Sequence, residues 1–240
     1  MDRRQLFPAA FAAFAVAAAA TLPAAPALAA KAPTTWDGLV QVKSKRFDLV
    51  YLAPDASFAG YTKVMLDPTE VTVHKNWRRD YNSSGVGVSR SVSEKDVQKV
   101  IAQSIAAAND LFVKEFNEGG YPVVTEPGPD VLWLRTGVLD VRVTAPDTMS
   151  PGRVYNYANE AGEATYVIEV RDSETGALLG RAIDRRVAGD NTYGDRNRVT
   201  NRMDFRRLVE RWAELSIRGL NELKARAPID EAGRFVGAKP

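Results

Sequence analysis

The sequence predicts one α+β domain, a mixed and mainly antiparallel β-sheet with two long amphipathic helices packed on it. Three observations predict it. Two segments, about 93–118 and 201–225, repeat apolar residues at helical spacing. Several shorter segments alternate apolar and polar residues and are bounded by Gly, Pro and Asp. No repeat and no internal linker divides the chain.

The composition narrows the chemistry. Of 240 residues, 45% are hydrophobic and 26% charged, which suits a globular body with a core. A net charge of +2 is too weak a field to imply nucleic acid as a partner. The absence of cysteine excludes disulfides, thiolate metal sites, a cysteine nucleophile and acylation as a lipoprotein. A single histidine, His74, excludes sites that need two imidazoles.

The chain opens with Arg3 and Arg4, an alanine-rich apolar stretch from Leu6 to Leu22, and the small-residue run Ala27-Leu28-Ala29 before Ala30. This is the pattern of a signal peptide over 1–29, cleaved between Ala29 and Ala30. The competing reading is a transmembrane helix. Against it, the stretch is short for spanning, weakly hydrophobic, and followed by Pro23 and Pro26. Asp2-Arg3-Arg4-Gln5-Leu6-Phe7 resembles a twin-arginine export signal, with a general secretory signal as the alternative. Either route places the mature protein in the periplasm, with no stable membrane anchor.

Residues 30–46 read as an extended lead-in and 47–228 as the α/β domain, leaving 229–240 as a C-terminal tail. Asp48 to Leu52 is a short strand closed by Pro54. Lys63 to Leu66 starts another, in which Pro68 demands an edge or a bulge before Val71 and Val73 continue. Lys75 to Arg90 is Gly-, Ser- and Arg-rich and reads as a loop. Ser93 caps the first long helix, with Asp96 completing an imperfect capping box and Gly119-Gly120 ending it.

Val131 to Val143 is a long strand whose apolar phase changes between Leu134 and Leu139, predicting a bulge near Gly137. Residues 144–162 read as a loop. Two strands then flank the hairpin turn Asp172-Ser173-Glu174-Thr175-Gly176, with Gly180 and Ala182 forming a small face for a helix. Residues 189–200 are a second polar loop. The last helix carries Phe205, Leu208, Val209, Trp212, Leu215, Leu220 and Leu223 on its buried stripe.

Four of these segments together resemble one bacterial family, domain of unknown function (DUF) 3313. They are Tyr61 to Val71, the run YPVVTEPGPDVLWLRTGVLD from Tyr121 to Asp140, the hairpin from Ala164 to Arg186, and the helix from Phe205 to Leu220. The resemblance implies an envelope protein with a compact mixed-sheet fold, often lipid-anchored in relatives. The missing cysteine departs from that anchoring. The family has no agreed activity, so it supplies no catalytic residues.

The candidate side chains each have a functional and a structural reading. Asp67 and Glu70 could act as an acid–base or cation pair, yet a regular strand puts them on opposite faces, so ladder-end or arginine-partner roles are expected. Asp140 is expected to face water or an arginine. His74 has neither a nucleophile nor an orienting partner nearby in sequence. Trp77, Arg78 and Arg79, with Tyr81 and Gly85, form a basic-aromatic lip suited to an anionic envelope polymer, or else a solvated loop. Asp184 is expected to be partly buried against donors. Arg185 and Arg186, with Arg196, Arg198 and Arg202, would form either an anion site or a wet face. No catalytic set, metal or cofactor is expected. The leading expectation is a non-enzymatic accessory protein that binds an envelope protein or anionic polymer. The alternatives are a carboxylate-dependent hydrolase using Asp67, Glu70 or Asp140, and a small-ligand carrier with an apolar cavity.

Overall fold

The computed structural model describes residues 32–83, 91–143, 157–158, 162–189, 194–195 and 198–236. Eleven strands and three helices are described: β1 (Thr35–Trp36), β2 (Leu39–Val42), β3 (Leu49–Leu52), β4 (Lys63–Leu66), β5 (Glu70–Val73), α1 (Trp77–Ser83), α2 (Glu94–Glu118), β6 (Val123–Val124), β7 (Val131–Val143), β8 (Tyr157–Ala158), β9 (Gly162–Asp172), β10 (Leu178–Ala188), β11 (Gly194–Asp195) and α3 (Arg198–Arg226). Nine strands form one sheet in the order β1-β2-β3-β10-β9-β7-β4-β6, with β5 also paired to β7. The pairings from β1 through β7 are antiparallel, whereas β4 and β5 run parallel to β7, and β6 parallel to β4. The α+β class is therefore as expected.

Both long helices cover one face of this sheet. Ser93 accepts the Asp96 backbone N–H and Asp96 reaches back to the Ser93 N–H, so the capping box is complete. At the other end Gly120 takes φ +86°, a conformation glycine adopts without a Cβ penalty, and Tyr121 N–H returns to the Phe116 carbonyl. Ala108, Leu111, Phe112 and Phe116 of α2 face Leu208, Trp212, Ala213, Ile217 and Leu220 of α3 across the inward side chains of β7, β9 and β10. Tyr166 of β9 lies at the centre, stacked on Trp212 at 5.2 Å and on Phe112 at 5.8 Å. Its hydroxyl pairs with Ser216 at 3.1 Å. Burial raises this phenol above its usual pKa. The space between helices and sheet is thus filled by rings.

The other face has its own smaller apolar cluster, Leu39, Leu49, Tyr51, Val167 and Ile183, with Trp36, Leu139 and Leu178 packed against it. Segments expected to be plain connections supply part of this. The lead-in 30–46 contains the β1–β2 hairpin, whose turn residues Asp37 (φ 52°) and Gly38 (φ 80°) fit a two-residue turn with positive φ at both positions. The tail is built in as far as Phe235: Ile229 is buried and bridges Phe235, while Gly233 closes on the Gln41 carbonyl.

Other differences are local. The loop expected over 75–90 contains α1, and those over 144–162 and 189–200 contribute β8 and β11, which pair with each other. Gly180 admits Leu52 of β3, not a helix. The β7 bulge lies at Asp140, where pairing with β9 shifts between Leu139 and Arg142, while Gly137 keeps regular register with Val167. Leu139 packs on the helix-free face, whereas Val141, after the bulge, packs on the helix-covered core with Leu132 and Leu134.

The hairpin turn is held by Asp172, which accepts the Thr175 backbone N–H and hydroxyl and the Tyr61 hydroxyl, each at 2.7 Å. These bonds, the Thr175 hydroxyl foremost, hold the Asp172 carboxyl below its ordinary range, while burial and this carboxylate push the Tyr61 phenol up to about 12. A depressed carboxyl stabilises the fold above its unfolded pKa and loses that contribution as pH falls through the folded value. Asp172→Asn should therefore cost about 1 kcal/mol at neutral pH, discounted for solvent screening. Denaturant titrations should show the gap from wild type closing below about pH 4; a gap independent of pH would refute this account.

Candidate functional site

The candidate residues fall into three places. Along the helix-free face, cross-strand register aligns Tyr51 with Arg181, Arg181 with Glu169, and Glu169 with Arg135. Arg181 donates to Glu169 at 2.6 Å, and Arg135 and Arg171 approach its second oxygen at 3.5 and 3.2 Å. Trp36 stacks on the Arg181 guanidinium at 3.9 Å and Asp37 accepts from it at 3.0 Å. Asp67 extends the row, accepting Trp133 Nε1 at 2.7 Å and Arg135 Nε at 3.2 Å.

The structure answers how Asp67 and Glu70 relate. Partner numbering between β4 and β7 is offset by 68 at Lys63–Val131, but between β5 and β7 it is 67 at Glu70–Gly137. One extra residue is therefore accommodated around Pro68, and Glu70 faces the same side as Asp67. Thr69, inside this bulge, pairs its hydroxyl with Thr136 and gives its N–H to Asn109 of α2. Asp67 has both oxygens occupied. Glu70 has no side-chain partner among the described residues.

The second place is the middle of β10, on its helix-covered side. Asp184 is 1% exposed and accepts Trp212 Nε1 at 2.8 Å and the Arg186 guanidinium. Arg186 also reaches the Arg46 carbonyl at 3.2 Å. Arg185 points to the opposite face, where it donates to Glu163 at 2.7 Å. That bond, and more weakly the Asp140 charge, raise the guanidinium above its usual pKa. The arginines adjacent in sequence thus diverge, because successive strand residues face opposite sides; they do not form one anion site.

The third place is the end of β5. The bulge residue Asp140 has φ 53°, and its backbone N–H donates to Thr72 Oγ1 at 3.1 Å. Its carboxylate meets His74 Nδ1 at 2.5 Å, with Arg142 at 3.5 Å. An ionised carboxylate only accepts, so this contact puts the ring proton on Nδ1 and turns Nε2 away. His74 therefore has an orienting partner that sequence reasoning missed, 66 positions away. The phase change in β7 was the available signal, read a few residues early.

Directly after His74, α1 begins with the Trp77 N–H bonded to the His74 carbonyl. Trp77 stacks on Tyr81 at 5.5 Å. Arg78 reaches Glu94 at 3.4 Å and Arg79 reaches Asp80 at 3.2 Å. Gly85 and Arg196 lie outside the described residues, as do the export and cleavage residues Arg3, Arg4, Ala29 and Ala30.

Elsewhere, Lys63 and the run from Val124 to Val131 line an open depression of about 430 Å3. There Asp130 accepts the Thr62 hydroxyl at 2.6 Å and Lys63 at 3.1 Å. The Thr62 bond foremost, and Lys63 next, hold this carboxyl below its usual pKa. Among the described residues there is no cluster of His, Asp and Glu suited to a metal ion, and no helix long and apolar enough to cross a membrane.

A family model described as a protein of unknown function, DUF3313, matches residues 30–216. No curated protein matches the sequence at a significant level. Among solved structures, a PelC dodecamer from Paraburkholderia phytofirmans is similar at 13% identity, covering 74% of this chain and 98% of its own, with a TM-score of 0.35. A Xanthomonas campestris protein of the DUF330 family is similar at 8% identity, covering 70% and 86%, with a TM-score of 0.35. The lipoprotein GNA1162 from Neisseria meningitidis is similar at 13% identity over 63% and 96%, with a TM-score of 0.20. Likeness this distant transfers neither a site nor an activity.

Two substitutions test the geometry. Asp140→Ala should cost about 1–2 kcal/mol, because alanine tolerates positive φ poorly, and Asp140→Gly clearly less. Equal losses would assign the cost to the lost His74 contact instead. Trp212→Phe keeps a ring against Tyr166 but removes a donor from buried Asp184, at about 2–3 kcal/mol. A loss within about 0.5 kcal/mol in chemical denaturation would mean that bond is dispensable.

Proposed function

The chain belongs to the DUF3313 family of proteins of unknown function, and from that premise we propose that it is an exported periplasmic protein that binds an envelope component without covalent chemistry. The supporting observation is α1. It buries none of its residues, yet it holds a stacked Trp77–Tyr81 pair beside Arg78 and Arg79 at one end of the sheet. Asn82 fastens it by exchanging two hydrogen bonds with the Val92 backbone. A presented aromatic-basic element of fixed orientation suits recognition.

The hydrolase reading draws less support. Asp67 shares a face with Glu70, but its oxygens are taken by Trp133 and Arg135, and Asp140 is engaged by His74 and Arg142. The carrier reading needs space where the Phe112–Tyr166–Trp212 stack stands.

Export is tested by fractionation with N-terminal sequencing: a form starting at Ala30 is expected in the periplasm, and an intact chain retaining Met1 in the cytosol would refute it. Binding is tested by crosslinked pull-down from envelope extract. Trp77→Ala with Tyr81→Ala should lose most of the captured material. Capture equal to background, or unchanged by this double variant, would defeat the binding reading.

A further inference from the structure

We propose that the end of the molecule formed by α1 and the first turns of α2 docks on an anionic lipid surface. This deepens the binding reading above and rests on it.

The two helices act as one piece there. Asn82 of α1 is locked to the Val92 backbone, and Arg78 of α1 reaches Glu94 at the start of α2. Along α2 the buried residues begin only at Ala108. Its earlier turns overhang the core, and they continue the apolar stripe outward: Val97 is half-buried and Val100 is 60% exposed. Trp77 and Tyr81, partly exposed on the adjoining α1, add two rings to these valines at the same end of the molecule. Indole and phenol rings, apolar in body and polar at the rim, suit the boundary between headgroups and acyl chains.

The charges of the same two segments have one sign in excess. Lys75, Arg78, Arg79, Lys95 and Lys99 stand against Asp80, Glu94 and Asp96. The three carboxylates are committed, to Arg79, to Arg78 and to the Ser93 cap respectively. Lys75, Lys95 and Lys99 are exposed and carry no ion pair among the described residues. Lysines on flexible stems around an apolar patch can reach phosphate groups while the patch enters the interface. A protein partner would be better served by a core depleted of lysine. Such docking is peripheral and reversible.

The probe is sedimentation with vesicles of phosphatidylcholine alone or with about 30% phosphatidylglycerol. Wild-type protein should partition about tenfold or more onto the anionic vesicles, and added salt should reduce this. Arg79→Glu with Lys99→Glu, both exposed, should lower the anionic partitioning about tenfold without altering thermal stability. Trp77→Ala with Tyr81→Ala should lower it as well. Variants are compared within one preparation, so the apolar stretch from Leu6 to Leu22, where present, contributes equally. Equal partitioning onto both vesicle types, or an undiminished Arg79→Glu, Lys99→Glu variant, overturns the lipid assignment. If that happens while crosslinking still captures a partner through Trp77 and Tyr81, the binding reading stands and only the lipid is wrong.

Discussion

Glu169 sits in the middle of the sheet with no solvent exposure, and the mutual register of three strands, β7, β9 and β10, is tied to keeping it paired. A buried carboxylate left unpaired costs several kcal/mol. Here Arg181 on one neighbouring strand and Arg135 on the other flank it, with Arg171 two residues along its own strand. Side chains alternate along a strand, so a slip of one residue in β7, β9 or β10 would swing a charge into the helix-covered core. The row therefore acts on register more than on net stability, since a buried ion pair gains little over well-packed apolar residues. It also reaches the N-terminal hairpin, because Trp36 and Asp37 both engage Arg181.

The helix-covered face is organised around rings instead of charges. Tyr166 is one residue from Val167 and three from Glu169 on β9, yet it belongs to the opposite layer, stacked between Phe112 and Trp212. Trp212 then spends its only donor on Asp184, which ties α3 to β10. Strands β3, β7, β9 and β10 each contribute side chains to both faces, so their backbones couple the two layers. Two buried polar groups in the ring-filled layer take a hydrogen bond from a ring, Asp184 from Trp212 and Ser216 from Tyr166.

Much of this was legible in sequence where one physical signal acted alone. The Ser93 cap, the Gly119-Gly120 terminator, the Asp172–Gly176 turn and the α3 stripe each follow from local chemistry. Legibility failed where two signals overlapped. The β7 strand has apolar residues on both faces, so its phase change pointed at Gly137 when the bulge is at Asp140. The Asp37-Gly38 turn was present, but its strands are only two and four residues long, too short to show an alternation. The His74–Asp140 contact joins positions 66 apart and depends on the bulge itself, so no local pattern could announce it.

Two irregularities govern where the candidate residues end up, and they compensate. The extra residue around Pro68 lowers the offset between β5 and β7 to 67, and the extra residue at Asp140 restores it to 68 at Val73–Val141. The first bulge brings Glu70 to the side of Asp67; without the second, everything after Val71 would stay displaced by one residue against β7. Asp140 can serve as that second bulge because aspartate tolerates positive φ better than most residues, and because its carboxylate reaches His74 while its N–H reaches Thr72. The His74 carbonyl then receives the first N–H of α1. The orientation of the aromatic-basic helix is thus set by a register correction inside the sheet, through one short chain of bonds from Asp140 to His74 to Trp77.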